Sequence, residues 1–254
     1  MKHILYLSFG KDSMAALIKV VELGLPLDAV VCARIWYDEN TPAEHPVQAA
    51  FIERATEIIK RKFGIDVIFV RSKWTFKSYF YRTKQKGNHV GDNYGFPFVM
   101  GAWCVSRLKQ EAFAQARRMF KGEKIIEYVG IAFDEQSRIM NDPNKRYLLN
   151  ELKIIEDDCF DICERHGLLS PKYEKSFRDG CWFCPKQPLS SLYDLWRDYP
   201  RLFNELKQLQ PDSFNTFKPR ESIFDIEQRF KLGYIPKRKL RPKYVQLRMA
   251  GVDA

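Results

Sequence analysis

The sequence predicts an α/β protein with a doubly wound, mostly parallel sheet and a helical, basic C-terminal extension. An apolar run at residues 3–7 ends in a short polar loop and passes directly into a helical pattern. Strand-like and helix-like segments then alternate as far as about residue 134, the order typical of a parallel sheet. A hydrophobic content of 45% in 254 residues is enough for a buried core and excludes a disordered chain.

The first strand and the loop after it carry the clearest functional signal. Residues 4–7 are apolar or aromatic without interruption, as expected for a strand buried on both faces. The loop that follows joins this strand to a helix predicted over residues 13–23, and consists of Ser8, Phe9, Gly10, Lys11, Asp12 and Ser13. Backbone N–H groups and the positive end of a helix dipole at such a turn bind anions. The loop therefore predicts a phosphate site, although Asp12 or Ser13 could serve only as a helix N-cap.

The remaining elements follow in βαβαβ order. The second strand is expected to end on Asp38, close to the first loop, because ligands bind outside the carboxyl ends of parallel strands. The predicted segments are a strand over 29–38, a helix over 46–63, strands over 66–71 and 124–134, and a helix over 103–120.

Residues 73–102 interrupt the alternation of strands and helices. Lysines and arginines are interspersed there with aromatic residues, and a glycine-rich loop follows. Such a mixture suits a single-stranded nucleic acid or a nucleotide base. An amphipathic helix followed by a substrate lid explains the same pattern.

The net charge of +10 is uneven, because 14 basic and 8 acidic residues follow Pro185. Residues 229–248 contain eight basic residues and no acid, and Pro236 and Pro242 prevent one continuous helix there. This tail predicts binding of nucleic acid with little sequence preference, or else packing of the tail on an acidic face of its own chain. No apolar stretch is long enough for a membrane span, so a cytoplasmic location and reduced cysteines are expected.

The loop resembles the Ser-x-Gly-x-Asp-Ser motif of the PP-loop ATP pyrophosphatases, in the branch of the phosphoadenosine phosphosulfate reductase family. Gly130-x-x-x-Asp134-Glu135-x-x-Arg138 resembles a second nucleotide-contacting loop of that family. The resemblance covers about residues 3–190 and implies a site for ATP or an adenosine phosphosulfate, with Mg²⁺ on the phosphates. Lys109 and Arg138 would then be cationic clamps, with Lys11 and Asp12 beside them and Asp12 and Asp38 as metal or ribose contacts.

The cysteines form a second constellation. Cys181 and Cys184 form a Cys-x-x-Cys pair, and Cys104 precedes Arg107 and Lys109. This pattern is similar to the cluster ligands of the adenosine phosphosulfate reductases, which implies an iron–sulfur cluster, with Zn²⁺ as the alternative. The fourth ligand would be Cys163 or Cys159, and we favour Cys163. The alternative for both is a role as small buried core residues, and Cys32 is expected to be core.

These features predict a nucleotide-binding domain with a metal site over residues 1–185 and a helical basic extension over 186–254. The favoured function is cleavage of the α–β phosphate bond of ATP to adenylate an acceptor for sulfur transfer to nucleic acid, which needs a sulfur-donor or electron-donor partner. One alternative is an adenosine phosphosulfate-type reductase, which the absence of a cysteine after Cys184 disfavours. The other is a non-catalytic accessory protein that senses nucleotide and binds nucleic acid.

Overall fold

A computed structural model describes residues 1–98, 101–176 and 178–239, and the chain divides into two compact units. The first unit comprises Met1–Arg34, Pro46–Arg71 and Lys109–Pro171. The second comprises Ile35–His45, Ser72–Leu108 and Lys172–Ala254. Segments 35–45 and 72–108, which were predicted to lie in the nucleotide-binding domain, thus belong to the same unit as residues 172–239.

The helices and strands are defined here in chain order. The strands are β1 (Lys2–Tyr6), β2 (Ala29–Arg34), β3 (Val67–Arg71), β4 (Ile125–Tyr128) and β5 (Lys145–Arg146). The helices are α1 (Lys11–Glu22), α2 (Pro46–Phe63), α3 (Phe76–Phe80), α4 (Glu111–Met119), α5 (Leu148–Glu151), α6 (Glu156–Arg165), α7 (Leu189–Asp198), α8 (Pro200–Leu209) and α9 (Ile223–Lys231).

The first unit is built on a five-stranded sheet in the order β3-β2-β1-β4-β5. Every neighbouring pair is parallel, with Leu5 of β1 beside Val30 of β2 and Tyr128 of β4. The predicted parallel α/β sheet is confirmed. Because β1 has β2 on one side and β4 on the other, the strand order reverses between β1 and β4, and this is where open α/β sheets bind ligands.

Helices cover both faces of this sheet. Alternate residues of β1 point to opposite faces, so Leu5 packs in the larger apolar cluster with α1, α2 and α6. Ile4 packs in a smaller cluster on the other face, which includes Ala116 of α4. Burial on both faces explains why residues 4–7 and 29–33 are continuous apolar runs in the sequence.

Two predicted elements differ in extent. The strand predicted over 124–134 ends at Tyr128, and a 3₁₀ helix occupies Phe133–Arg138. The helix predicted over 103–120 is a π-helical turn at Val105–Gln110 followed by α4. The apolar run beyond β4 is thus a connection and not a longer strand.

The second unit is helical within its described residues and has an aromatic core. Tyr37, Phe76, Trp182 and Phe183 are buried and in ring contact, with the Phe76 and Phe183 centroids 4.0 Å apart. The helices predicted for the C-terminal extension are confirmed as α7, α8 and α9. Residues 240–254, which include Arg241, Lys243 and Arg248 of the basic tail, lie outside the described residues. No described helix has the length and apolarity needed to cross a membrane.

His45 makes the stability of the second unit depend on pH. Its ring packs edge-on against Tyr199 at 4.7 Å, and burial, together with the Lys172 ammonium, lowers the pKa of His45 to about 4. An unfolded chain has a histidine pKa of about 6.5 and so binds an extra proton between these values. The contribution of neutral His45 to the free energy of unfolding is therefore fully present above about pH 6.5 and is lost as the pH falls toward 4.

We expect the free energy of unfolding to fall by about 2 kcal/mol between pH 7.5 and pH 5 through this group. Urea unfolding of the wild type and of His45→Gln at both pH values measures it. The variant should lose this part of the pH dependence, and an unchanged dependence in the variant would assign it to other groups.

Candidate nucleotide and cysteine sites

The predicted phosphate loop joins β1 to α1 and is organised by its own two serines. The Ser13 hydroxyl donates to the Gly10 carbonyl at 3.1 Å and accepts from the Ser8 backbone N–H at 3.1 Å. The Ser8 and Ser13 hydroxyls are 3.0 Å apart. Gly10 is the N-cap of α1 and no side chain caps the helix, so the N-terminus is open toward an anion. Ser8 is exposed, whereas Ser13 is buried.

Phe9 holds this loop in an uncommon backbone conformation. Its φ is +58°, in the left-handed region, although its side chain is buried and stacks on Phe69 at 6.2 Å. The amide of Gln48 in α2 donates to the Phe9 carbonyl at 3.2 Å, and the Ser170 hydroxyl donates to the amide oxygen of Gln48. The buried ring and this amide fix the turn from the core side.

The strain at Phe9 has a measurable signature. Phe9→Ala should lower the free energy of unfolding by about 3–5 kcal/mol, because it removes a buried ring and keeps the positive φ. Phe9→Gly removes the same ring but relieves the backbone, so it should be about 0.5–1 kcal/mol more stable than the alanine variant. Urea unfolding of both variants checks the order, and a glycine variant less stable than the alanine variant would contradict the strain.

Gly130 brings the connection after β4 against the phosphate loop. A Cβ at Gly130 would lie 2.6 Å from the Ser13 Cα, 2.7 Å from the Ser13 nitrogen and 2.8 Å from the Asp12 carbonyl carbon. All three are backbone atoms, and no side chain fits at these distances. The two loops after β1 and β4 therefore meet at the point where the strand order reverses, as ligand sites of such sheets require.

Three carboxylates and one lysine surround the start of α1. The Lys11 ammonium donates to Asp12 at 2.8 Å and to Glu156 of α6 at 2.8 Å, and it lies 5.4 Å from the Phe160 ring centroid. Burial raises the pKa of Asp12 against the opposing effect of Lys11, and the charges of Glu156 and Glu135 act in the same direction as burial. Lys11, expected to contact phosphate, is engaged with carboxylates here.

These carboxylates fit a divalent cation. One oxygen from each of Asp12, Glu135 and Glu156 lies within 4.8 Å of the others. The Oε2 atom of Glu135 is buried and has no hydrogen-bond partner. Carboxylate oxygens are the ligands that Mg²⁺ prefers. Glu156 was missed by the sequence analysis, where the only signal was its place in an acidic first turn.

The other residues predicted for nucleotide binding have local roles. Asp134 accepts from the Glu156 backbone N–H at 3.0 Å and Arg138 pairs with Glu135, so this segment joins the carboxylate group. The Lys109 ammonium lies 5.9 Å from the Phe113 ring centroid. Asp38 belongs to the second unit, where it accepts from the Asn40 and Thr41 N–H groups at 3.0 and 2.8 Å. These contacts lower the pKa of Asp38 although burial opposes them.

The second unit holds three of the predicted metal ligands. Cys181 and Cys184 lie in one turn, in which the Cys184 N–H donates to the Cys181 carbonyl at 3.1 Å. Cys181 forms a β-bridge with Glu44, and the Trp182 N–H next to it donates to the Ala43 carbonyl at 2.9 Å. The turn is thus anchored to the aromatic core on its Cys181 side.

Cys104 interacts electrostatically with this pair. Burial raises the pKa of Cys104 to about 11, with the Cys184 thiol adding to the effect, and burial also raises the pKa of Cys181. Lys218 donates to the Pro185 and Gln187 carbonyls at 2.8 and 2.7 Å, and interacts with the charge of Cys184. Among the described residues, these three thiols do not form a group with all ligand atoms within 4.8 Å of one another, whereas the carboxylates of Asp12, Glu135 and Glu156 do. A metal bound by Cys104, Cys181 and Cys184 therefore stays a prediction, and it would have to ionise its ligands despite burial.

Cys163 lies in a different environment. It belongs to the first unit, is fully buried in the core with Cys159 and Cys32, and its thiol donates to the Lys11 carbonyl at 3.3 Å. Burial raises the pKa of Cys163 and of Cys159. The assignment of Cys163 as the fourth ligand stays a prediction.

No family model matches the chain, and no curated protein matches it. Among solved structures, the chain is similar to the U34-tRNA thiolase NcsA from Methanococcus maripaludis with its [4Fe-4S] cluster. The two are 16% identical with a TM-score of 0.38, over 94% of this chain and 84% of the other. At this level the similarity assigns neither a family nor a site residue.

Proposed function

We propose that this protein binds ATP and cleaves the bond between its α and β phosphates, adenylating an acceptor for sulfur transfer to nucleic acid. The observation that carries the proposal is the meeting of the Ser8–Ser13 loop with Gly130 at the strand-order reversal. An open helix N-terminus, a close backbone approach and a group of carboxylates are the parts that a nucleotide triphosphate and its cation need.

The residues have separate roles in this proposal. The turn at Ser8–Ser13 and the start of α1 bind the phosphates, with Gly10 allowing close approach. Asp12, Glu135 and Glu156 would hold Mg²⁺, which when bound neutralises charge on the departing pyrophosphate. The bound cation would share the negative charge of Asp12 and Glu156, to which Lys11 donates. The Lys11 ammonium group could then donate to a phosphate oxygen instead. Lys109 and Arg138 remain proposed as clamps.

The chemistry balances without a redox step. An acceptor carbonyl oxygen attacks the α-phosphorus, and the bond to the bridging oxygen breaks, so pyrophosphate leaves with the electron pair. Hydrosulfide, supplied by a donor, then attacks the activated carbon and displaces AMP, leaving a carbon–sulfur double bond and releasing a proton. A zinc ion or iron–sulfur cluster on Cys104, Cys181 and Cys184 supplies, when bound, a soft metal centre for sulfur.

The test uses ATP labelled at the α-phosphorus, with Mg²⁺, hydrosulfide and single-stranded RNA. We expect AMP and pyrophosphate in equal amounts, with a loss of at least about 100-fold in Asp12→Asn. Asp66→Asn, at an exposed carboxylate of the same unit, is the matched control and should keep full activity. The proposal would be overturned if no AMP formed with any acceptor tested. It would also be overturned if the protein released sulfite from adenosine phosphosulfate in the presence of a dithiol.

A further inference from the structure

The second unit carries a hairpin-like loop, residues 82–94, that follows a segment rich in basic and aromatic residues. Its two sides are joined by the Lys84 N–H donating to the Asp92 carbonyl and by the Tyr94 N–H donating to the Arg82 carbonyl, both at 2.9 Å. No aspartate or glutamate occurs between Lys73 and Gly91. Asp92 is the acidic residue of the loop, and its carboxylate lies 3.3 Å from the His89 ring nitrogen. The loop therefore presents more basic than acidic side chains.

One aromatic platform lies at the base of this loop. The Arg82 guanidinium lies 4.8 Å from the centroid of the Trp74 ring, and the Lys73 ammonium lies 5.4 Å from it. Both cations are exposed and Trp74 is half-buried. Cation contact holds the indole in a fixed orientation.

A second platform lies on the other flank. The Lys84 ammonium is 4.1 Å from the Phe214 ring centroid and 5.9 Å from that of Phe98. The two rings are 5.8 Å apart, and Phe98 is 52% exposed. An exposed phenylalanine beside lysine offers a stacking face next to a positive charge.

Most cations of this surface have no salt-bridge partner among the residues that the structure describes. Lys77 pairs with Glu205 at 3.5 Å, whereas Lys73, Arg82, Lys84 and Lys86 form no salt bridge with any residue that the structure describes. Cations interleaved with rings match a chain of phosphates with unstacked bases, because phosphates neutralise the charges and bases stack on the rings. A duplex would leave the rings without a partner, since its bases are already stacked.

We propose that Lys73–Phe98, together with Phe214, binds a single-stranded nucleic acid segment. That the bound segment contains the acceptor rests on the proposed function. Nucleic-acid binding by this surface would be additional to binding by the basic tail. Binding itself needs neither ATP nor turnover, so it can be measured separately from the adenylation chemistry.

The first test measures fluorescence anisotropy of a labelled mixed-sequence 12-nucleotide RNA, without ATP, across a salt series. Combined Arg82→Gln, Lys84→Gln and Lys86→Gln should weaken binding about 10- to 100-fold and make the slope of log affinity against log salt shallower by about 2. Combined Lys60→Gln, Arg61→Gln and Lys62→Gln on α2 removes the same charge and should change affinity less than about threefold. Equal losses in both variants would overturn the assignment, because net charge alone would then explain binding.

The second test separates stacking from charge. Phe98→Ala should weaken RNA binding between about 5- and 150-fold with an unchanged salt slope. Phe224→Ala, at a 43% exposed phenylalanine of α9, is the matched control and should bind normally. The same sequence as DNA distinguishes the two nucleic acids, and a preference for duplex of either kind over single strand would overturn the proposal.

Discussion

Gly130→Ala is expected to lower the free energy of unfolding by about 1–3 kcal/mol and to weaken ATP binding by about 10- to 100-fold. The added methyl would lie 2.6 to 2.8 Å from backbone atoms of Asp12 and Ser13, which no side-chain rotation can clear. Either the connection after β4 or the start of α1 must move, and each movement opens the phosphate loop. Thermal unfolding and calorimetric titration with ATP measure the two effects separately.

Gly180→Ala is the matched control for this variant. Gly180 has no atom within 4 Å of an added Cβ and no positive φ, so the same substitution should cost less than about 0.5 kcal/mol and leave ATP binding unchanged. A Gly130→Ala protein that unfolds and binds ATP like the wild type would show that the close approach is not required. A destabilised Gly130→Ala protein that binds ATP like the wild type would show that the close approach contributes to stability but not to nucleotide binding.

Cys181→Ser is expected to remove bound metal, with a decrease in the metal-to-protein ratio of at least about tenfold. The thiol belongs to the anchored turn that also contains Cys184, and a serine hydroxyl at that position is a poor ligand for soft metals. Metal analysis and the visible absorption of anaerobically purified protein provide the measurement. A broad visible band lost in the variant identifies an iron–sulfur cluster, whereas a colourless wild type with zinc identifies the alternative.

Cys32→Ser tests whether any buried cysteine would have the same effect. Cys32 is 3% exposed in the core around β2, so serine there costs stability but should leave the metal content unchanged. Equal metal in wild type and Cys181→Ser would contradict a thiolate site in the second unit.

The sheet and its first loop could be predicted from the sequence because they depend on local sequence patterns. The uninterrupted apolar run ending at Leu7 is the pattern of a strand buried on both faces, and a polar turn before a helical pattern marks the loop. Gly130 and Asp134 could be placed only through the family resemblance. The structure shows the physical reason at Gly130, which is the absence of room for a Cβ.

The group of three carboxylates and the division into two units could not be predicted from the sequence in this way. Glu156 reaches Lys11 across 145 residues, and no periodicity reports a contact of that separation. The second strand was predicted to extend to Asp38, but β2 ends at Arg34 and Asp38 accepts hydrogen bonds within a turn. Its proximity to the phosphate loop stays a prediction. The aromatic residues of segments 35–45 and 72–108 indicated burial without indicating which core they join.

The order in which the two units appear along the chain has a consequence for synthesis on the ribosome. Met1–Arg34 begins the first unit and Lys109–Pro171 completes it, so its sheet can close before the last third of the chain has emerged. Tyr37, Phe76, Phe80 and Phe96 are translated early but pack with Trp182, Phe203 and Phe230. These rings lack their late partners until α9 has left the exit tunnel, so we expect them to expose apolar surface on the nascent chain during that interval.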